Sequence, residues 1–157
     1  MIGRMNTPPL HTVSRGPRFA RSLRIRFGHC DPAGIVYFPQ YFVMLNGIVE
    51  DWVSDGLGIP YAELLGPRRI GLPTVRIDTE FRAISRMGDE VSLGLRVEHL
   101  GRSSLTLTLD CSAGDELRVL ARTVIVATSL DTHRPVAIPD DLRAAIERFA
   151  AASSAAA

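Results

Sequence analysis

Between residues 39 and 54 the apolar side chains recur at helical spacing. At about 100° per residue Tyr41, Phe42, Met44, Leu45, Ile48, Val49, Trp52 and Val53 fill an arc roughly 180° wide, and Gln40, Asn46, Gly47, Glu50, Asp51 and Ser54 take the remainder. Pro39 suits the first turn, where its missing N–H has no helical partner to lose. Asp55-Gly56 and Gly58 supply a stop. So wide an apolar face suits a helix laid against a sheet. Residues 59–65 predict a short second helix or turn before Gly66-Pro67.

After residue 70 the period drops to two. Val75, Ile77 and Phe81 alternate with Arg76, Asp78, Glu80 and Arg82; Val91, Leu93, Leu95 and Val97 follow; then Leu105, Leu107, Leu109 and Cys111 alternate with Thr106, Thr108 and Asp110. Turns at Arg86-Met87-Gly88-Asp89, Gly101-Arg102 and Ala113-Gly114-Asp115 separate these runs. Residues 117–130 become apolar on both faces after Thr123, the pattern of an interior strand or of one covered by a partner subunit. A first strand over 19–27 brings the number to five, and 140–149, after Pro139, predict a terminal helix. The class is α+β. A twisted antiparallel sheet must cover one face, and only the helix over 39–54 is large enough to do it, so the predicted architecture is a curved sheet wrapped around that helix.

The length of 157 residues fits one domain, and a folded chain of that size buries roughly 68–70% of the surface it exposes when unfolded. The expected organisation is a mobile extension over 1–16, the domain over 17–149 and a disordered Ala/Ser tail over 150–157. All 18 basic residues are arginine. A lysine Schiff base, a P-loop lysine and a lysine general base are therefore excluded. Against 17 acidic residues the net charge is +1, which gives no reason to expect a nucleic acid as partner. Cys30 and Cys111 have no CxxC spacing, so the expected compartment is a reducing cytoplasm. No apolar run approaches the roughly 18 residues that span a bilayer, so no membrane is expected. His11, His99 and His133 lack metal-ligand spacing, so neither is a metal.

The informative stretch runs from Arg26 to Pro39 and links a strand to the start of the long helix, where unsatisfied N–H groups and the positive end of the helix dipole gather. Pro32 and Gly34 shape the loop and hold Asp31 on a turn facing that helix end. A carboxylate so placed can attack, or activate water toward, a carbonyl whose oxygen is held by those N–H groups. It can equally be the cap of an Asp-Pro turn, and the local pattern leaves both readings open. His29 and Cys30 suggest a nucleophile pair, but neighbours on an extended segment point to opposite faces.

The motif Phe27-Gly28-x-Cys30-Asp31-Pro32-Ala33-Gly34-Ile35-Val36-x-x-Pro39-x-Tyr41 resembles the signature of the 4-hydroxybenzoyl-CoA thioesterase family of hotdog-fold acyl-CoA thioesterases. A weaker likeness extends from about Arg18 to Phe149. The resemblance implies a hotdog fold, a five-stranded antiparallel sheet around one long helix, in dimers that join their sheets and commonly pair into tetramers. It implies Asp31 as catalytic carboxylate, by a mixed anhydride or as general base, with the backbone N–H of Phe38 polarising the thioester carbonyl. No cofactor is implied, since coenzyme A belongs to the substrate.

Departures from the family pattern bear on the substrate. Asn46 stands where the 4-hydroxybenzoyl-specific enzyme places an aspartate for the phenolic hydroxyl, and an amide can still hydrogen-bond a hydroxyl or amine without the charge. It can also be a plain surface amide at a subunit contact. Tyr37 and Phe38 replace other aromatics, Leu72 replaces a threonine, and Tyr61 aligns with a tryptophan near the acyl group. Of the family's basic cluster at one strand turn only Arg102 is present, making it the first phosphate candidate, with Arg122 and Arg134 behind it. Ser103 and Ser104 are candidate donors to the thioester or the pantetheine arm, and equally plain turn residues. The expected function is hydrolysis of an aromatic, benzoyl-type acyl-CoA. The alternatives are a thioesterase for aliphatic acyl-CoA or acyl-carrier-protein thioesters, or a non-catalytic acyl-CoA-binding module.

Overall fold

Alternating side chains dictate five long strands, and the computed structural model, which describes residues 15–152, arranges them as one antiparallel sheet. In chain order β1 (Phe19–Arg24) is followed by α1 (Phe38–Asp51), α2 (Tyr61–Leu65) and β2 (Ile70–Gly71). Then come β3 (Thr74–Phe81), β4 (Glu90–Leu100), β5 (Ser104–Ala113), β6 (Glu116–Val126), β7 (Thr128–Ser129) and α3 (Asp140–Ala151). The sheet order is β1-β4-β5-β6-β3. The register sets Leu95 opposite both Phe19 and Leu109, and Leu109 opposite Ala121. One face is thereby apolar across all its strands, and Leu93, Leu95, Leu107, Leu109, Val119 and Ala121 are buried there.

Helix α1 lies against that face with Met44, Leu45, Ile48 and Val49. Fully burying each such side chain stabilises the fold by roughly 1.5–3 kcal/mol. At Asp51 the helix passes into a wider π turn, Trp52–Gly56, whose Trp52 is 0% exposed and meets Phe149 of α3 edge-on at 5.5 Å. The other face of the sheet is polar. Asp110 accepts from Arg18 at 2.7 and 3.2 Å, and the guanidinium lies over Gly94, where a Cβ would have to displace it.

Several boundaries differ from those expected. Helix α1 starts at Phe38, with Pro39 in its second position, and its regular part ends at Asp51. Strand β1 stops at Arg24 because Ile25 leaves β4 to bond Asp89 and Gly88. The run over 117–130 breaks at Ala127: Thr128 and Ser129 pair with Gly71 and Ile70 in a separate ladder that two-residue strands could not announce. Ala150 and Ala151 belong to α3 rather than to a disordered tail, since Ala152 as C-cap bonds back to Arg148 and Phe149. Of the expected N-terminal extension, residues 1–14 lie outside the described residues, and the Gly16 carbonyl accepts from Arg96 at 3.2 Å.

Candidate active site

Residues 29–37 form a small hairpin. His29 accepts from the Tyr37 N–H at 2.9 Å, Cys30 bridges Val36, and the Asp31 N–H donates to Ile35 at 3.0 Å. The turn at its tip is closed by the Gly34 N–H on the Asp31 carbonyl and by the Ala33 N–H on Asp31 Oδ1, both 2.9 Å. Gly34 has φ +76°, in the left-handed region that glycine enters without strain. One carboxylate oxygen of Asp31 thus holds the turn. No bond to its second oxygen is present among the described residues.

The same hairpin leads directly into α1. Tyr37, extended at φ −68° and ψ 121°, is the N-cap, and the Gln40 N–H returns to its carbonyl. Phe38 occupies the first helical position, and among the described residues nothing accepts from its N–H. Beside it Val36, Phe38, Tyr41, Phe81, Ile84 and Ser85 line an open cavity of about 250 Å³. Phe38 and Phe81 meet edge-on at 6.1 Å and are both half exposed. Tyr41 is buried and donates its hydroxyl to Ser85 Oγ at 2.9 Å, and burial raises its pKa above the ordinary phenol range.

A second groove, about 180 Å³, opens further along α1 between Asn46 and the edge strand β3. Phe42, Leu45, Val49, Leu72 and Ile77 make it apolar, and Asn46, Thr74 and Thr123 are its polar lining. At 1.5 Å per residue, Asn46 lies ~12 Å down the helix axis from Phe38.

Residues 25–146 match the thioesterase-like superfamily. The chain belongs to that family. Curated relatives include a 1,4-dihydroxy-2-naphthoyl-CoA hydrolase of Synechococcus elongatus, 26% identical over 120 residues, which span 76% of this chain and 88% of that protein. A 4-hydroxybenzoyl-CoA thioesterase of Pseudomonas sp. strain CBS-3 is 32% identical over 83 residues, 52% of this chain and 58% of its own length. Among solved structures, a thioesterase-superfamily protein of Jannaschia sp. CCS1 superposes with a TM-score of 0.80 at 24% identity, covering 90% of this chain and all of its own. The fold is the hotdog fold, and the protein is a thioester hydrolase.

In this thioesterase the remaining candidates stand apart from the hairpin. Arg102 is exposed at the far end of β4, whereas Asp31 hangs on residues preceding that strand; 11 residues at ~3.3 Å each separate the two by ~35 Å along it. The Arg102 carbonyl accepts from Ile138 and Arg143, which fixes the backbone and leaves the side chain in solvent. Ser103 accepts from the Ala127 N–H, and Ser104 opens β5. Tyr61 begins α2, its N–H donating to Ser54 Oγ, and burial, then the nearby Glu50, raises its pKa. Arg122 is a correction: it lies on the polar outer face of the sheet with Nε 2.9 Å from Glu98 and its side chain largely buried, so it is spent on the sheet. Arg134 is exposed. His29 and Cys30 both turn to Arg26, through the N–H and the carbonyl respectively, and so form no pair.

One polar cluster has no counterpart in the sequence pattern. Arg118, with Ser85, Asp89 and Tyr41, forms a polar cluster behind the hairpin. Its only sequence signal is a charge amid an apolar strand.

Proposed function

We propose that the protein hydrolyses aromatic acyl-CoA thioesters of the benzoyl or naphthoyl kind to the free acid and coenzyme A, with Asp31 as the catalytic carboxylate. The observation that carries this reading is the hairpin itself: one short segment delivers a fixed carboxylate at its tip and a helix-start N–H without a partner at its end. The N–H of Phe38 donates to the thioester oxygen as that oxygen gains negative charge. Asp31 either adds to the carbonyl carbon, expelling the coenzyme A thiolate and leaving an anhydride that water opens, or takes a proton from a water that adds instead. Both routes consume one water and release one acid and one thiol. The names of the relatives support an aromatic acyl group, and so does the groove beside Asn46, whose neutral amide suits a ring bearing a hydroxyl or amino group.

The working unit in this reading is a dimer or a dimer of dimers. Strand β3 is an edge of the sheet, yet Val75, Ile77 and Phe81 are 60%, 40% and 50% exposed, and Val43 and Phe38 of α1 continue the apolar patch. A long apolar edge left open invites pairing with another strand. Two copies pairing β3 with β3 antiparallel bring the Thr74 end of one beside the Phe81 end of the other. The groove at Asn46 and Leu72 of one copy then faces the Phe38 and Asp31 end of its partner, and the ~12 Å of helix between Phe38 and Asn46 within one chain no longer separates the helix start from the groove. Arg102 likewise reaches the coenzyme A phosphates from the second copy.

The test is free-thiol release from a panel of benzoyl, hydroxybenzoyl, aminobenzoyl, naphthoyl and aliphatic acyl-CoA thioesters. Aromatic substrates are expected to lead. A clear aliphatic preference, or full activity in Asp31→Asn, overturns the reading. Single-turnover hydrolysis in labelled water separates the two routes, since label in Asp31 requires the anhydride.

A further inference from the structure

The Asp31 hairpin packs Val36 and Cys30 against the core but, among the described residues, makes no backbone hydrogen bond to a strand of the sheet. It is fastened to the loop between β3 and β4, residues 82–89: the Val36 N–H donates to the Ser85 carbonyl at 2.9 Å, the Met87 N–H donates to the Gly34 carbonyl at 3.1 Å, and Ile35 bridges Arg86. Both sides of the catalytic turn therefore move with that loop. The loop is in turn fastened to one residue of β6. Arg118 Nη1 donates to the Ile84 carbonyl at 2.7 Å, to Asp89 Oδ2 at 3.0 Å and to Ser85 Oγ at 3.3 Å. The backbone carbonyl of Arg118 accepts from the N–H groups of Arg82 and Ala83 at 2.8 and 3.2 Å. Glu116 lies 2.5 Å from its Nε, off the N–H axis, and so pairs by charge. Tyr41 of α1 closes the set on Ser85 Oγ.

We propose that Arg118 is a positioning residue for thioester hydrolysis: it sets the loop over 82–89 and, through Ser85 and Met87, the place of Asp31 relative to the start of α1. This rests on the reading of Asp31 as catalytic carboxylate. Arg118 touches neither substrate nor Asp31; its side chain, 14% exposed, reaches only loop and strand groups. Removing the guanidinium leaves Ile84 without its donor and Asp89 with only the Arg86 N–H, while Ser85 keeps Tyr41. The loop then has freedom at the two points where the hairpin hangs on it. A shift of ~1 Å in a reacting group can cost ~10²-fold in rate. A lysine at the same place keeps the charge and three donors on a shorter stem, which suits acceptors grouped around one nitrogen.

The experiment compares Arg118→Met, Arg118→Lys, Asp89→Asn and Asp31→Asn on the best acyl-CoA of the panel, with amide hydrogen exchange on each. Arg118→Met is expected to lower kcat at least ~10-fold with KM within about twofold, the signature of lost transition-state alignment. The Val36 and Met87 amides should exchange faster, amides in the middle of β4 and β5 should not, and Arg118→Lys should restore most of kcat and of the protection. Wild-type kcat in Arg118→Met overturns the proposal. So does a loss of activity accompanied by faster exchange throughout the sheet, which is plain destabilisation. If Arg118→Met does not fold, Asp89→Asn decides: a kcat-only loss with faster exchange at Val36 and Met87 supports the proposal, and wild-type kcat with unchanged exchange there overturns it. Full activity in Asp31→Asn overturns the catalytic reading instead, and the exchange data show separately whether Arg118 governs the hairpin.

Discussion

The two ends of α1 are built to opposite purposes. At its C-terminal end Trp52 and Val53 are both 0% exposed, and Trp52 sits in a widened turn against Phe149. At its N-terminal end Tyr37 and Phe38 are about half exposed, and the Phe38 N–H has no partner among the described residues. One end spends every apolar surface on stability, and the other leaves polar and apolar capacity unspent. Changes at the first should cost folding, and changes at the second should cost rate.

The largest effect is expected at the hairpin before the helix. Asp31→Asn keeps an oxygen to accept the Ala33 N–H and should lower kcat by ~10²–10⁴-fold, with the melting temperature nearly unchanged. A parallel fall in melting temperature would break the comparison. At the opposite end Trp52→Ala should destabilise by about 3–5 kcal/mol in urea titrations, with turnover per folded molecule retained in native buffer. Against Phe38→Ala, which removes the ring alone, Phe38→Pro removes the ring and the donor. Proline is accommodated at a first helical position, and Tyr37 is already extended as a residue before proline must be. Relative to Phe38→Ala it should cost ~10²–10³-fold in kcat at unchanged stability. Retained kcat would remove that N–H from the mechanism.

The smallest expected effect is on acid stability. The Arg86 N–H, and after it Arg118, hold the Asp89 carboxyl below the ordinary carboxylate range. Its folded pKa is depressed, so the stabilisation is present above the unfolded value, near pH 4, and is lost as the pH falls through the lowered one. The urea midpoint of wild type should fall more steeply below about pH 4 than that of Asp89→Asn. Equal slopes would detach Asp89 from the loop's order.

Periodicity made most of this fold legible. The two-residue alternation over 91–97 and 105–111 identified β4 and β5, and the arc from Tyr41 to Val53 identified the helix that fills the sheet. What escaped has no period to read: β2 and β7 are two residues each, and the π turn continues helical spacing with a changed hydrogen-bond pattern. The candidate site divides in the same way. Asp31, Gly34 and Phe38 lie within eight consecutive residues, and their turn chemistry is local. The Arg118 cluster joins residues 29, 33 and 44 positions apart, and an arginine in an alternating strand looks like any solvent-facing one. Tyr41 was legible as an apolar helix residue, because its ring is buried; the partner of its hydroxyl was not. The separation of Asn46 from Asp31 was hidden too, since Asn46 follows the motif that holds Asp31 by only five residues and nothing in the sequence states how far α1 carries them apart.

The two cysteines give this enzyme a practical property. Cys111 is fully buried, and burial pushes its thiol pKa up to about 11, so at neutral pH it is silent toward thiol reagents. Cys30, half-buried beside Asp31, is the one thiol a reagent can reach. An assay that counts released coenzyme A therefore carries a background of at most one equivalent per chain. A fluorophore or nitroxide attached there would report from the residue next to the proposed catalytic carboxylate, with no cysteine to be engineered in or out.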